Sequence, residues 1–371
     1  MDADDADVVG GDARVIRGSA GLEAALSAPH SPAVYGEVWI GRSRIPRGTI
    51  EIADGNVSQS GSSFARREGS VEIVSTRETR EMLQQPGACV RLWSGVQGVS
   101  SRIPVMWGVV AKTSRDWGGA SLSIPLDDLA TRVVRDRFPT PRVFTVPTLP
   151  EKPPTVPEMI LALWRDSIPW CGWDDQSADA TPMHSITWDE DRAQGIADLA
   201  GSIGCETWLR PDGVVVLQQI PSIRTAPYWH VQQGARLSKA QYETDRSKSY
   251  NHIVVTNEAG TARGEYADYD SPSGIDRCGR VLGKITTDAV ATNAQCVTAA
   301  HAAVLRSQGE RVSVSYEMTR HPGVEASDVH QIGTSEDNRR VVIDSVNFDL
   351  FGAGMQATGR TPTQLPEIEV S

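Results

Sequence analysis

From residue 311 to 333 the chain reads RVSVSYEMTRHPGVEASDVHQIG, and its first half alternates strictly. Val312, Val314, Tyr316 and Met318 fall on one face, with Arg311, Ser313, Ser315 and Glu317 on the other. That period of two predicts a half-buried strand. His321-Pro322-Gly323 then predicts a turn, and Val329, His330 and Ile332 restart an alternating pattern after Asp328.

The same period recurs toward the N-terminus. In VYGEVWIGRSRI, Val34, Gly36, Val38 and Ile40 alternate with Tyr35, Glu37, Trp39 and Gly41. Further strands are predicted at 70–74, 89–93, 104–113 and 120–126, separated by turn-rich spacers, the arrangement of a small antiparallel barrel or sandwich. Helical spacing appears in GLEAALSAP, at Leu22, Ala25 and Leu26. It appears again in LDDLATRVVRDRF, where Leu126, Leu129, Val133 and Val134 form a stripe and Asp127 and Asp128 suit a helix N-terminus. Six prolines between Pro139 and Pro154 then mark a linker or crossing strand.

The middle of the chain changes character. Helices are predicted in TVPEMILALWRDS and DEDRAQGIADLAGSIG, with Gly204 closing the second, followed by a hairpin about Pro211-Asp212-Gly213. This is the pattern of a small α/β module. From Tyr250 the chain becomes β-rich again (NHIVVTNEAG, RGEYADYD), passes through a helix near 290–308, and ends in the opening strand and RVVIDSVNFDLF.

Composition fits a globular chain: 371 residues, 39% hydrophobic and 22% charged, enough for two or three domains with their own cores. No run of about 18 apolar residues predicts a membrane span, and the acidic start MDADDADVVGGDARVIRG is unlike a secretory signal. The expectation is folding in a cytoplasm. Cys89, Cys171, Cys205, Cys278 and Cys296 are scattered and never form C-x-x-C, so most are expected to be small buried hydrophobes. A net charge of −11 argues against general affinity for phosphate backbones. The locally basic RVVRDRFPTPR at 132–142 reads as a solvated or interface face.

Candidate chemistry is sparse. His321, Glu325, Asp328 and His330 crowd one bend, but the histidines lie nine residues apart, which matches neither an i, i+4 pair nor common zinc spacings. Asp174, Asp175, Asp189, Glu190 and Asp191 lie near Trp170, Trp173 and Trp188, as paired carboxylates of a glycosidase would. Asp189 to Asp191 also suit a helix start. His252 and His301 stand alone, and neither G-x-S-x-G, G-x-G-x-x-G nor a P-loop occurs. The residues assign no catalytic, cofactor or metal site.

Taken together, the helix before PHSPAVYGEVWIGRSRIPRGTIEI, then FARREGSVEIV, MLQQPGACVRLWSG, PVMWGVVAKTSRDWGGASLSIPLDDLATRVVRDRF, IADLAGSIGCETWLRPDGVVVLQ and AHAAVLRSQGERVSVSYEMTRHPGVEASDVHQIG form a succession. In that order the chain resembles the tail or baseplate hub proteins of bacteriophages, particularly minor tail proteins of phages infecting actinobacteria, and their relatives in contractile injection systems. The resemblance covers roughly residues 20 to 360, and Ser327-Asp328 stands where the family has Gly-Asp.

The resemblance implies a β-rich α+β fold with two small antiparallel tube-type β-barrels joined by a small α/β module. The expected divisions are a flexible segment with a short helix at 1–32, a first barrel at 33–148, the module at 149–222, a second barrel with an inserted helix at 223–360, and a tail at 361–371. It further implies a non-enzymatic homotrimeric ring in the virion, assembled in the host cytoplasm. Such a ring would adapt a hexameric tail tube to spike or fibre proteins and meet the distal tail and tape-measure proteins. Its channel would pass DNA without binding it. Strands 34–40 and 341–350 are expected as edges available between subunits. The His321–His330 bend becomes a barrel corner, with a bound ion as the alternative. Competing functions are a polysaccharide hydrolase and a carbohydrate-binding module that stacks sugars on exposed Trp173, Trp188 and Trp208.

Overall fold

The computed structural model describes residues 19–26, 30–113, 121–147, 152–221, 225–234, 236–244, 250–271, 273–308, 312–334 and 338–361. A short helix, α1 (Ala20–Leu26), buries Leu22 and Leu26 against Val96 and Ile103. Seven strands follow: β1 (Pro32–Ile40), β2 (Ser43–Ile50), β3 (Ile52–Ser60), β4 (Arg67–Val74), β5 (Ala88–Val96), β6 (Arg102–Val110) and β7 (Ser121–Asp128), with helix α2 (Arg77–Leu83) between β4 and β5. Their order in the sheet is β3-β4-β7-β6-β5-β1-β2. Only Glu51 separates β2 from β3, so this path begins and ends on strands consecutive in the chain.

The helix expected across residues 126–138 is only α3 (Thr131–Arg135). Leu126 to Asp128 belong to β7, where Leu126 fills the sheet core and pairs with Gly69. Asp128 accepts hydrogen bonds from the N–H of Arg67 (3.0 Å) and of Ala130 (2.9 Å), a turn contact rather than a helix-dipole one.

The α/β module then forms from β8 (Arg142–Phe144), α4 (Val156–Ser167), β9 (Gly172–Asp175), β10 (Ile186–Trp188), α5 (Arg192–Ser202), β11 (Cys205–Leu209) and β12 (Val214–Gln219). Thr155 and Glu158 cap α4 reciprocally, and Asp191 caps α5 through the N–H of Gln194 at 3.0 Å. The hairpin about Pro211-Asp212-Gly213 joins β11 to β12, with Gly213 at φ +88°. A Cβ on Gly213 would lie 2.9 Å from the Trp107 ring of β6, so the turn and the docking of the module on the sheet both require glycine there.

After β13 (Trp229–Gln232) and β14 (Leu237–Thr244), the chain leaves the sheet to build a second small unit. This consists of β15 (His252–Thr256), β16 (Arg263–Ala267), helix α6 (Ile275–Cys278), β17 (Leu282–Thr286) and α7 (Asn293–Gln308). The expected inserted helix is α7, and it arrives with a three-stranded sheet and a core of Ile253, Val255, Cys296, Ala300 and Val304. β18 (Val312–Thr319), β19 (Val329–Gly333), β20 (Asn338–Asp349) and β21 (Gly354–Thr361) complete the chain. β18 shows the alternation read from its sequence, with Val312, Val314, Tyr316 and Met318 buried and the residues between them exposed.

Both ends of the chain share one sheet of 13 strands. The C-terminal strands run β14-β18-β21-β20, with β19 and then β13 continuing from β20, and β13 and β14 are again neighbours in the chain. The joint is β20. Along one edge it pairs with β21, while its opposite edge is divided between β19 (residues 338–342) and β3 (residues 345–349). Its register breaks between Ile343 and Ser345, where it changes partner. Residues 34–40 and 341–350 are therefore not the edges expected from sequence, since β1 lies between β5 and β2 and β20 lies between β21 and its two partners. A single cluster of buried side chains, from Val38 and Ile73 to Phe348 and Met355, continues under both halves.

Phe348 pairs with Val57 of β3 and is buried in that shared cluster. Phe348→Ala is expected to lower the unfolding free energy by about 3–5 kcal/mol. Urea denaturation should show the halves losing structure in one transition, and two separated transitions in the wild-type chain would contradict a shared core.

Candidate functional site

The bend flagged in the sequence lies at the seam between the halves. Ser327 donates its N–H to the Ile343 carbonyl (2.7 Å) and Ile343 donates back to the Asp328 carbonyl (2.8 Å), beside the register break of β20. Ala326 N–H reaches Gln59 of β3 at 3.3 Å. Glu325 forms an ion pair with the buried Arg67 of β4. Arg67 also donates to the Leu209 carbonyl of the module at 2.9 Å. One guanidinium thus ties the N-terminal strands, the module and the C-terminal bend together.

The four residues do not converge on a common point. His321 accepts the N–H of Gly323 at Nδ1 (3.2 Å), which leaves Nε2 to donate to Glu23 of α1 (3.0 Å). Its ring packs 4.2 Å from that of Trp229, whose indole N–H reaches Asp328 at 3.3 Å. His330 faces the other way, with Nδ1 2.6 Å from the Tyr316 hydroxyl. Burial, and secondarily the charge of Asp328, raises the Tyr316 pKa well above normal, so the phenol keeps its proton. Burial also raises the Asp128 carboxyl, against the opposing charge of Arg67 and the two backbone donors. Among the described residues no group of three or more His, Cys, Asp and Glu side chains gathers as a metal site.

The sugar-site residues are dispersed as well. Trp188 and Trp208 are only 4% and 5% exposed, so the expectation of an exposed Trp173–Trp188–Trp208 stacking surface is corrected. Trp188 packs on Phe144 and Gly195 inside the module, and Arg66 covers Trp208 with its guanidinium carbon 4.1 Å from the ring centroid. Asp174 pairs with Arg210 at 3.0 Å, Asp175 accepts from Ser177, and Asp191 caps α5, so each of these three carboxylates has a structural partner. His252 lies buried on β15, and His301 on α7 packs against Tyr266 of β16. Cys89, Cys171, Cys205 and Cys296 are buried, while Cys278 is exposed. Burial, followed by the charges of Asp179, Asp175 and Glu206, pushes the Cys205 thiol up to about 12, away from nucleophilic use.

Two clefts adjoin the seam. One of about 450 Å³ lies between Trp208, Gln218, Tyr228, Leu305 and Glu325, and one of about 750 Å³ lies between Phe64, Arg66, Gln194, Thr207 and Arg360. Sequence reasoning did not find Arg66 or Arg67. FARREG carries no period to mark an arginine as buried, because its partners Glu206, Leu209 and Glu325 are remote in the chain.

No protein-family model matches this chain, and no curated protein matches it by sequence. Solved structures do. The tail protein from Neisseria meningitidis MC58 superposes with a TM-score of 0.62 at 15% identity, covering 89% of this chain and 97% of that one. The 43 kDa tail protein of prophage MuSo2 from Shewanella oneidensis gives 0.61 at 12% identity, with 88% and 98% covered. The Escherichia coli c3393 protein, a component of the type VI secretion system, gives 0.52 at 9% identity, with 88% and 77% covered. The chain shares its fold with these phage tail proteins and with the type VI secretion component.

Two predictions concern the seam. Breaking the Arg67–Glu325 pair from one side leaves a buried charge unpaired, so Glu325→Ala should cost about 3 kcal/mol. Replacing both partners with apolar residues should cost less, and equal losses in urea denaturation would show that the charge is immaterial. At Glu23, burial raises the carboxyl pKa, but the hydrogen bond and charge of His321, with the charge of Arg236, bring it below its usual value. A depressed carboxylate contributes stability that is complete above its unfolded pKa and is lost as pH falls through its folded one. The docking of α1 should therefore weaken as pH drops below about 4.3. Hydrogen exchange should quicken at residues 20–26 before it does in β18, and simultaneous loss would contradict a local effect.

Proposed function

We propose that this chain is a structural hub at the distal end of a phage tail. The observation that carries the reading is topological. Each half of the large sheet begins and ends on strands consecutive in the chain, β2 with β3 and β13 with β14, and β20 splices the two paths together. Closing each path would make two tube-type barrels per chain, with the α/β module and the β15–β17 unit outside them. Three copies would then present six similar barrels around a channel, a geometry suited to a hexameric tail tube on one side and spike or fibre proteins on the other. Distal tail and tape-measure proteins are the further partners in this reading.

The charge balance suits such a channel. A net −11 keeps phosphate from adhering as DNA passes through. The working location is the virion tail tip, after assembly in the host cytoplasm, and the role is scaffolding rather than catalysis.

Absolute mass from light scattering across a concentration series, with negative-stain images of the same sample, tests the proposal. A trimer with a ring-shaped end view is expected. A chain that stays monomeric at every concentration and adds no density to the end of purified tail tubes would overturn it.

A further inference from the structure

In the outer unit, α7 packs across β16 and β15 and leaves β17 at the rim. Among the described residues β17 pairs only with β15, in parallel. Parallel strands are ordinarily enclosed. Here every residue of β17 except Gly283 is exposed, including Leu282 at 46% and Ile285 at 39%, with Val281 just before it at 38%. An outer edge of this kind, with its backbone N–H and C=O groups directed away from β15, is a template for another strand.

Charge selects the occupant. Arg280 and Lys284 are exposed along β17 and its approach, where no acid occurs from 277 to 287, although Asp276 and Asp288 stand just beyond each end. On the face carrying Lys284, the register places Val254 beside it and Glu265 one strand further on. Glu265 is already engaged by Arg263 at 3.6 Å. A second copy of this chain pairing edge to edge would set the same cations against each other, which is unfavourable. A wholly apolar strand would have to bury Lys284 unpaired.

We propose that the β17 edge docks an extended acidic segment of a different protein, added as a fourth strand to this sheet. Its carboxylates would lie against Lys284 and Arg280, and its apolar side chains, on the opposite face, against Ile285. The inference stands on the edge and its charge, independent of the ring proposed above.

The test uses the full chain and a fluorescein-labelled peptide of about ten residues alternating glutamate with valine, the length one added strand requires. Saturable binding that weakens with salt is expected, together with slowed amide exchange at 282–286. The double variant Arg280→Glu with Lys284→Glu, two exposed positions whose change should leave the melting temperature alone, should weaken binding about tenfold. The same variant should gain affinity for the lysine–valine counterpart. Equal binding of both peptides to the wild type, or unchanged exchange at 282–286, would overturn the proposal. So would dimerisation of the wild type that the double variant abolishes, because the edge would then belong to a second copy. Tighter peptide binding after removal of residues 1–18 or 362–371 would also overturn it, by assigning the edge to the chain's own acidic terminus.

Discussion

A strand has two edges, and β20 divides one of them between partners from opposite ends of the chain. Its first residues complete the C-terminal strands through β19, and its last residues bind β3. Because side chains alternate, a slip of one residue in either pairing would turn Val346 and Phe348 out of the core. Both pairings must therefore hold together. The register break beside Asp344 makes this possible by redirecting the strand, and the Asp344 carbonyl takes the N–H of Gly61 at 2.7 Å on the far side of the seam.

Hydrogen bonds along one short stretch of strand would leave the attached units free to pivot. Buried arginines remove that freedom. Arg67 reaches the module and the 325–328 bend, Arg66 reaches Glu206 at 3.0 Å, and Arg320 links the C-terminal half to Ser94 of β5 at 2.9 Å. Arg192 of the module joins Asp166 of α4 and Asp136 at the end of α3. Such pairs give little net stability, because desolvation offsets the attraction, but they penalise every arrangement that leaves a guanidinium unmatched. Burial lowers Arg320 to about 10, so it remains charged at neutral pH and the penalty persists. The arginines act chiefly on orientation.

What was legible in the sequence follows the same division. β18 and both long module helices declare themselves because one face meets a core and the other meets water, or because Thr155 and Asp191 cap them. β3 does not. IADGNVSQS has Asp, Gly, Asn and Ser where a strand is expected to be apolar, yet its pairing with β4 and β20 holds it in the middle of the sheet. Its conformation is imposed by neighbours far away in the chain, as propensity permits. The stripe through Leu126, Leu129 and Val133 misled in the opposite sense, since Leu126 belongs to β7 and Val133 to α3, and the two are buried in different clusters. At the bend the crowding of His321, Glu325, Asp328 and His330 was visible, but their partners Glu23, Arg67, Trp229 and Tyr316 come from four other elements.

Through these partners, a cluster with the residue types of a metal or acid/base site ties the halves of the fold together. Each of these four side chains spends a lone pair or proton on a structural neighbour. His321 uses both ring nitrogens, Asp328 accepts from the Glu325 N–H at 3.0 Å and from Trp229, and Glu325 holds Arg67. Polar residues placed where secondary structure changes partner satisfy the backbone and charge that a register break exposes. In a fold whose two ends share one sheet, that is the point at which polar side chains are most needed for structure, and their density there follows from the topology.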